Sequence, residues 1–318
     1  MAQYTLSEEN VRTIPDGWFQ ACIDRMYDED KTLQDILSLE VKVLQLFHNG
    51  SISADEAACA ITRPITDYSV PKLNTYSDDS RALAQLWALL IEALIEWPST
   101  QTPPLVALLI QIKKAPGHIH RGEARDEEEK PLCWDDLPYF TRVWSDNHWM
   151  SPGQIARRCP DDATLRRARD QYIKQQDVEA QIVAAQLFTQ GPLAYPRALQ
   201  YVVQALEWTP GSDDHRRAPD DALADEQIRL DFLIPASGRW ITHCGQRLYN
   251  SLHSNDIPGW DPRDIPRSPV SFGNPHERWT FWVERLLKLL KEEQDDELKE
   301  AAESAVRYMR TIANGQNL

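Results

Sequence analysis

The sequence predicts an all-α fold: a single irregular multi-helix bundle of about ten or more helices around central apolar helices, with no sheet. Three observations carry this prediction. Apolar residues recur every three or four positions through most of the chain, and no segment sustains period-two alternation. The 21 prolines outnumber the 12 glycines and cluster between the periodic stretches, as stops between helices. No fixed repeat period is present, which argues against a regular helical solenoid.

The elements follow in order. Trp18 to Met26 reads as a short helix. Thr32 to His48 places Leu33, Ile36, Leu37, Val41, Leu44 and Phe47 at helical spacing, with Gly50 as the stop. Ser53 with Glu56 three positions on is a capping-box pattern, starting a helix through Ile61. Ala82 to Ile95 is almost wholly apolar yet shorter than the roughly 20 residues that span a bilayer, so it reads as a buried helix. The run beginning at Leu105 follows a proline-rich break, and the two are expected to pair as the centre of the core.

Past the middle, Asp162 to Gln190 and Ala194 to Glu207 read as helices on either side of Gly191-Pro192. Ile228 to Leu252 puts Leu230, Leu233, Ile234, Ser237, Ile241, Cys244 and Leu248 on one stripe, with Pro235 as a kink or a start. Asn274-Pro275 opens a helix carrying Trp279, Trp282, Leu286 and Leu290 on one face. Leu298 to Ile312 repeats the device, completing an αα-hairpin that Gly315 ends. Residues 1–318 are thus expected to form one helical domain, with the helices of 1–79 packing on the main body. Loops are expected near 117–130, 209–226 and 254–274, the last carrying Trp260 and Phe272.

A formal net charge of −15 disfavours nucleic acid and anionic membranes, because affinity for either comes chiefly from lysine and arginine. The five cysteines are scattered and odd in number, so neither a disulfide framework nor a structural zinc site is indicated. No secretory leader is visible, and a cytoplasmic setting is the expectation. No nucleophile elbow, dinucleotide fingerprint, phosphate loop or paired-cysteine motif occurs. No cofactor and no metal are predicted.

Several clusters invite chemistry and have plainer explanations. His118 and His120 lack further ligands at metal spacing. His276-Glu277 begins like a zinc-protease helix, but Thr280 stands where the second histidine belongs. The aspartates at 220, 221 and 225, and at 295 and 296, resemble diphosphate-gripping clusters, yet Asp295-Asp296 also sits where a helix start favours negative charge. Trp134 to Phe140, continuing through Trp144, His148 and Trp149, is the densest aromatic and titratable stretch. It could line a pocket with Asp135 or His148 as acid or base; equally, Asp135 or Asp136 could cap a helix and the rings be core. His243 falls about 200° around its helix from the core stripe, beside Arg239 and Arg247, with Trp240 at the stripe's edge. A surface histidine without a role is the plainer reading there.

Four motifs carry a family resemblance: LPYF with Trp144 and Trp149 nearby, ALEW (205–208), FLIPASGRWITHCGQRLY (232–249) and ERWTFWVERL (277–286). Together they resemble a fungal family of helical proteins known only as a domain of unknown function, over the span from Ala82 to the C-terminus. The resemblance implies an all-helical fold and a fungal, cytosolic setting. It attaches no reaction to any position, though a setting near secondary metabolism would suit cofactor-free chemistry on small apolar molecules.

The functional expectation is a helical protein that binds a small apolar molecule in an aromatic-lined pocket, acting as a cofactor-independent cyclase, isomerase or lyase. Trp134, Tyr139, Trp144, Trp240, Trp279 and Trp282 would form the walls, and Asp135, His148 or His243 would move the proton. The alternative is a non-catalytic protein-interaction module, suggested by the lack of any motif and by the acidic surface.

Overall fold

A computed structural model describes residues 14, 16–26, 28–66, 76–119, 132–148, 150–207, 229–254, 272, 274–292 and 295–315. It is all-α, as the periodicity requires. Twelve α-helices are present among the described residues. The one extended pairing there is a two-residue antiparallel contact, His118–Ile119 (β1) with Leu132–Cys133 (β2). The chain divides into two compact units, Gln3–His148 and Trp149–Leu318, the latter also taking in Met1–Ala2.

The first unit holds α1 (Trp18–Arg25), α2 (Lys31–His48), α3 (Ala54–Thr66), α4 (Tyr76–Glu96), α5 (Thr102–Lys113) and α6 (Phe140–Asn147). Asp30 caps α2 by accepting from the backbone N–H groups of Thr32 and Leu33. The capping box at α3 forms as read, with Ser53 and Glu56 bonded reciprocally. That helix runs to Thr66, past Ile61, with Pro64 inside it. Leu83, Leu86, Trp87, Leu90 and Leu94 of α4 are buried, each such side chain contributing about 1.5–3 kcal/mol. The expected pairing of α4 with α5 is corrected in part: α5 seats chiefly on α3, and α2 packs against α1, α3 and α4. Its mostly apolar surface lets α5 bury more than one face, so sequence does not choose its neighbour.

The second unit holds α7 (Pro152–Arg158), α8 (Asp162–Ala184), α9 (Pro196–Leu206), α10 (Leu230–Ser254), α11 (Pro275–Glu292) and α12 (Asp296–Ala313). Asp161 caps α8, and Asp295 caps α12 through the N–H groups of Glu297 and Leu298. The Asn274–Glu277 cap of α11 also forms. α8 ends earlier than the sequence reading, at Ala184, and Gln186 beyond it takes a positive φ of 55°. Pro235 lies within α10, one of the two places the sequence allowed it. The loops expected at 117–130, 209–226 and 254–274, with Trp260, lie largely outside the described residues. Phe272 is described: its ring meets Phe281 at 5.4 Å and lies beneath the Arg278 guanidinium.

α10 is the hub of this unit, packed on α8, α9 and α12. Two of its glycines meet different surroundings. A Cβ at Gly238 would come no nearer than 3.8 Å to Ala301 O, whereas one at Gly245 would meet Ile312 Cδ1 at 2.9 Å. Gly238→Ala is therefore expected to stabilise by about 0.5–1 kcal/mol through reduced backbone freedom. Gly245→Ala should lose that gain to the displaced isoleucine. Parallel urea titrations of the two variants check the contrast.

Candidate functional site

In the first unit the structure gathers several of the predicted residues. Trp134 and Trp144 are fully buried, while Asp135 is exposed. Trp134 Nε1 donates to Thr66 Oγ1 at 3.0 Å, and Trp87 Nε1 donates to the Pro138 carbonyl at 2.6 Å. Trp87 stands edge-on to both Trp134 and Phe140, and Phe140 stacks over Trp144. His148 lies 4.4 Å from the Trp144 ring, its Nδ1 2.9 Å from the Trp144 carbonyl oxygen, and burial lowers its pKa.

The capping role weighed for Asp135 or Asp136 is corrected. Trp134–Asp136 form a 3₁₀ turn, and α6 starts after Tyr139 with no side-chain cap. Leu137 and Tyr139 take φ of 44° and 66°, a kink of two left-handed non-glycine residues that no propensity signals. Tyr139 itself is half-buried.

In the second unit two polar clusters are built from motif residues. The first joins α9 to α11. Glu207, the wholly buried third residue of ALEW at the C-terminal end of α9, accepts from Arg278 Nε at 2.6 Å and Nη2 at 2.9 Å. It also accepts from Trp282 Nε1 at 2.7 Å. Trp279 and Trp282 are buried with ring centroids 5.9 Å apart, and Tyr249 stands edge-on to Trp279. Glu207 thus terminates a bidentate arginine and an indole at once.

The second cluster joins α8, α9 and α10. Trp240 is wholly buried, not at an edge; its Nε1 donates to Gln176 Oε1 at 3.0 Å. Gln176 in turn donates to Tyr201 Oη at 3.2 Å, and the Tyr201 ring stacks on Trp240 at 5.4 Å with 12° between planes. Arg197 donates to Tyr201 at 2.9 Å and lies 3.8 Å from buried Glu179. Burial drives the Tyr201 phenol upward, so it stays protonated and serves the network as a hydroxyl.

One helical turn beyond Trp240, His243 reaches the surface of this network. Its Nε2 lies 3.0 Å from Asp177 Oδ1, and Gln181 Nε2 donates to Asp177 Oδ2 at 2.8 Å. Arg239 Nε stands 3.9 Å from the same carboxylate. The Asp177 side chain is 9% exposed and that of His243 28% exposed, so a buried anion holds a half-exposed imidazole. Burial pushes the Asp177 carboxyl up, but the bond from His243 and the charges of Arg239 and Lys174 outweigh it and leave it below the usual range. Burial brings Lys174, one turn before Asp177, down to about 8.

The pairing of His243 with Asp177 corrects the reading of a lone surface histidine. Its partner lies 66 positions away on another helix, and the periodicity of α10 holds no trace of it. The histidine's place off the core stripe, beside Arg239, was the one available signal.

A carboxylate bonded to one imidazole nitrogen fixes the ring and its tautomer, leaving the other nitrogen to take or give a proton. Among the described residues no group of three His, Cys, Asp or Glu side chains is placed to share a metal. No helix there is long and apolar enough to cross a membrane. A shallow depression of about 350 Å³ is lined by Phe272, His276, Glu277, Thr280, Phe281 and Glu284, none of them a predicted site residue.

No curated protein and no solved structure matches the chain. One family does match, over residues 87–286, a span that contains all four sequence motifs. The pairs described above draw on three of these motifs: ALEW supplies Glu207 to the Arg278 of ERWTFWVERL, and FLIPASGRWITHCGQRLY supplies Trp240 and His243 to α8. With that match the chain belongs to the family described as protein of unknown function DUF3632.

Proposed function

We propose that this protein binds a small, largely apolar molecule against the α8–α10 face and moves one proton on it, with His243 as the acid or base. The reaction class is a cofactor-independent isomerisation, elimination or cyclisation. The observation that carries the reading is the Asp177–His243 pair: a buried, doubly held carboxylate at 3.0 Å from a half-exposed imidazole. Asp177 and Gln181 are positioning residues, and Arg239 with Lys174 gives the face a local positive balance inside an acidic chain. The resemblance to a fungal, cytosolic family near secondary metabolism fits such chemistry. Trp134, Tyr139, Trp144, Trp279 and Trp282 enter as packing that fixes the helices.

Ligand-observed NMR against a fragment set of small apolar acids and ketones provides the test. Asp177→Asn and His243→Gln are expected to weaken the hits by about tenfold or more with helix content unchanged. Hits that bind both variants as tightly as the parent would overturn the reading.

A second reading, a non-catalytic interaction module, has its own observation. Leu39 and Leu46, seven residues apart on one face of α2, are 46% and 37% exposed. It predicts a stoichiometric partner whose capture is lost in Leu39→Asp and indifferent to His243→Gln.

A further inference from the structure

Glu40 lies in the middle of α2 with no exposed surface, and neither carboxyl oxygen has a hydrogen-bond partner among the described residues. An acid in such a place is tolerable only while it carries its proton, since an unpaired carboxylate in an apolar interior is far costlier than the neutral acid. Its neighbours on the same helix, Ile36, Leu37, Val41, Val43 and Leu44, are all buried hydrophobics.

Among the described residues, the helices packed on α2 offer Glu40 no counter-charge. On α1 and α4, Arg25 pairs with Glu92 and Glu96. Arg81 of α4 pairs with Asp28, and Asp24 of α1 accepts from Gln20. On α3, Glu56 is held by Ser53, while Asp55 and Arg63 are exposed. None of these moves the titration of Glu40, which burial alone displaces well upward. At the end of α2, His48 sits among Phe19 and Trp97 and is itself pushed downward by burial.

We propose that Glu40 is a protonation-controlled latch of the Gln3–His148 unit: neutral, it lets α2 close against α1, α3 and α4, and ionised, it opens that interface. The sign follows from linkage. A carboxyl raised above its ordinary 4.5 contributes its full stability below that value and loses it as pH rises toward the folded-state value. His48 acts in the opposite sense, losing stability as pH falls through its ordinary 6.5. Above that point Glu40 acts without this opposition.

Hydrogen exchange followed by mass spectrometry, corrected for intrinsic rates, reads the latch in the full chain. As pH rises above about 6.5, protection of α2 amides in the parent should fall, at a rate of no more than about tenfold per pH unit, the limit for one proton. Glu40→Gln and Glu40→Met should flatten that slope whatever their absolute stability, while α10 amides serve as the internal reference. A parent slope equal to that of both variants, or an equal slope in α10, overturns the assignment.

Discussion

Glu207→Ala is expected to cost residues 149–318 about 3–5 kcal/mol, because it leaves a mostly buried arginine without its counter-charge. The Arg278 side chain is 13% exposed and Glu207 is not exposed at all, so water cannot replace the lost oxygens. The substitution also strips the Trp282 indole of its acceptor. Arg278→Ala should cost a similar amount for the converse reason, an unpaired buried carboxylate. Replacing both by methionine should recover most of the loss, since a well-packed apolar pair avoids the desolvation of two charges. Urea unfolding followed by circular dichroism gives the three values. A loss under about 1 kcal/mol for either single change would mean that the pair is effectively solvated.

Trp240→Ala carries the second large effect, about 3–5 kcal/mol from the cavity alone. A further about 1–3 kcal/mol is expected because Gln176 Oε1 loses its donor inside the unit. Tyr201 would lose the ring it stacks upon, and through Tyr201 the change reaches Arg197. Trp240→Phe helps to separate the contributions: it keeps an aromatic ring but removes the N–H and part of the indole volume, so its cost should lie between that of the orphaned amide and that of alanine. The same denaturation experiment, with tyrosine absorbance reporting on Tyr201, distinguishes them. Equal costs for alanine and phenylalanine would show that the hydrogen bond, not the packing, dominates.

Much of this architecture was legible without coordinates. Caps are local events, and Ser53 with Glu56, Asn274 with Glu277, and Asp295 each form as their spacing implies. The core stripe of α10 was likewise readable, since burial on one face imposes a period of 3.6. What sequence could not supply was pairing between helices. Asp177 looks like one more charge on a polar helix, and only the packing of α8 against α10 brings it to His243. Glu40 sits in an apolar stripe where a carboxylate is out of register, a signal that the hydrophobic residues around it concealed. The kink at Leu137 and Tyr139 is a tertiary compromise; neither residue favours a left-handed backbone. For the aromatic-rich 134–149 stretch, composition could not separate wall from core, and Trp134 and Trp144 prove to be buried.

The tautomer of His243 tests the central functional claim most directly, through ¹⁵N correlation spectra of the imidazole side chain. If Asp177 orients the ring for proton transfer, neutral His243 carries its hydrogen on Nε2 with Nδ1 bare, and Asp177→Asn disturbs that preference. A ring protonated on Nδ1, or one indifferent to Asp177→Asn, would contradict it.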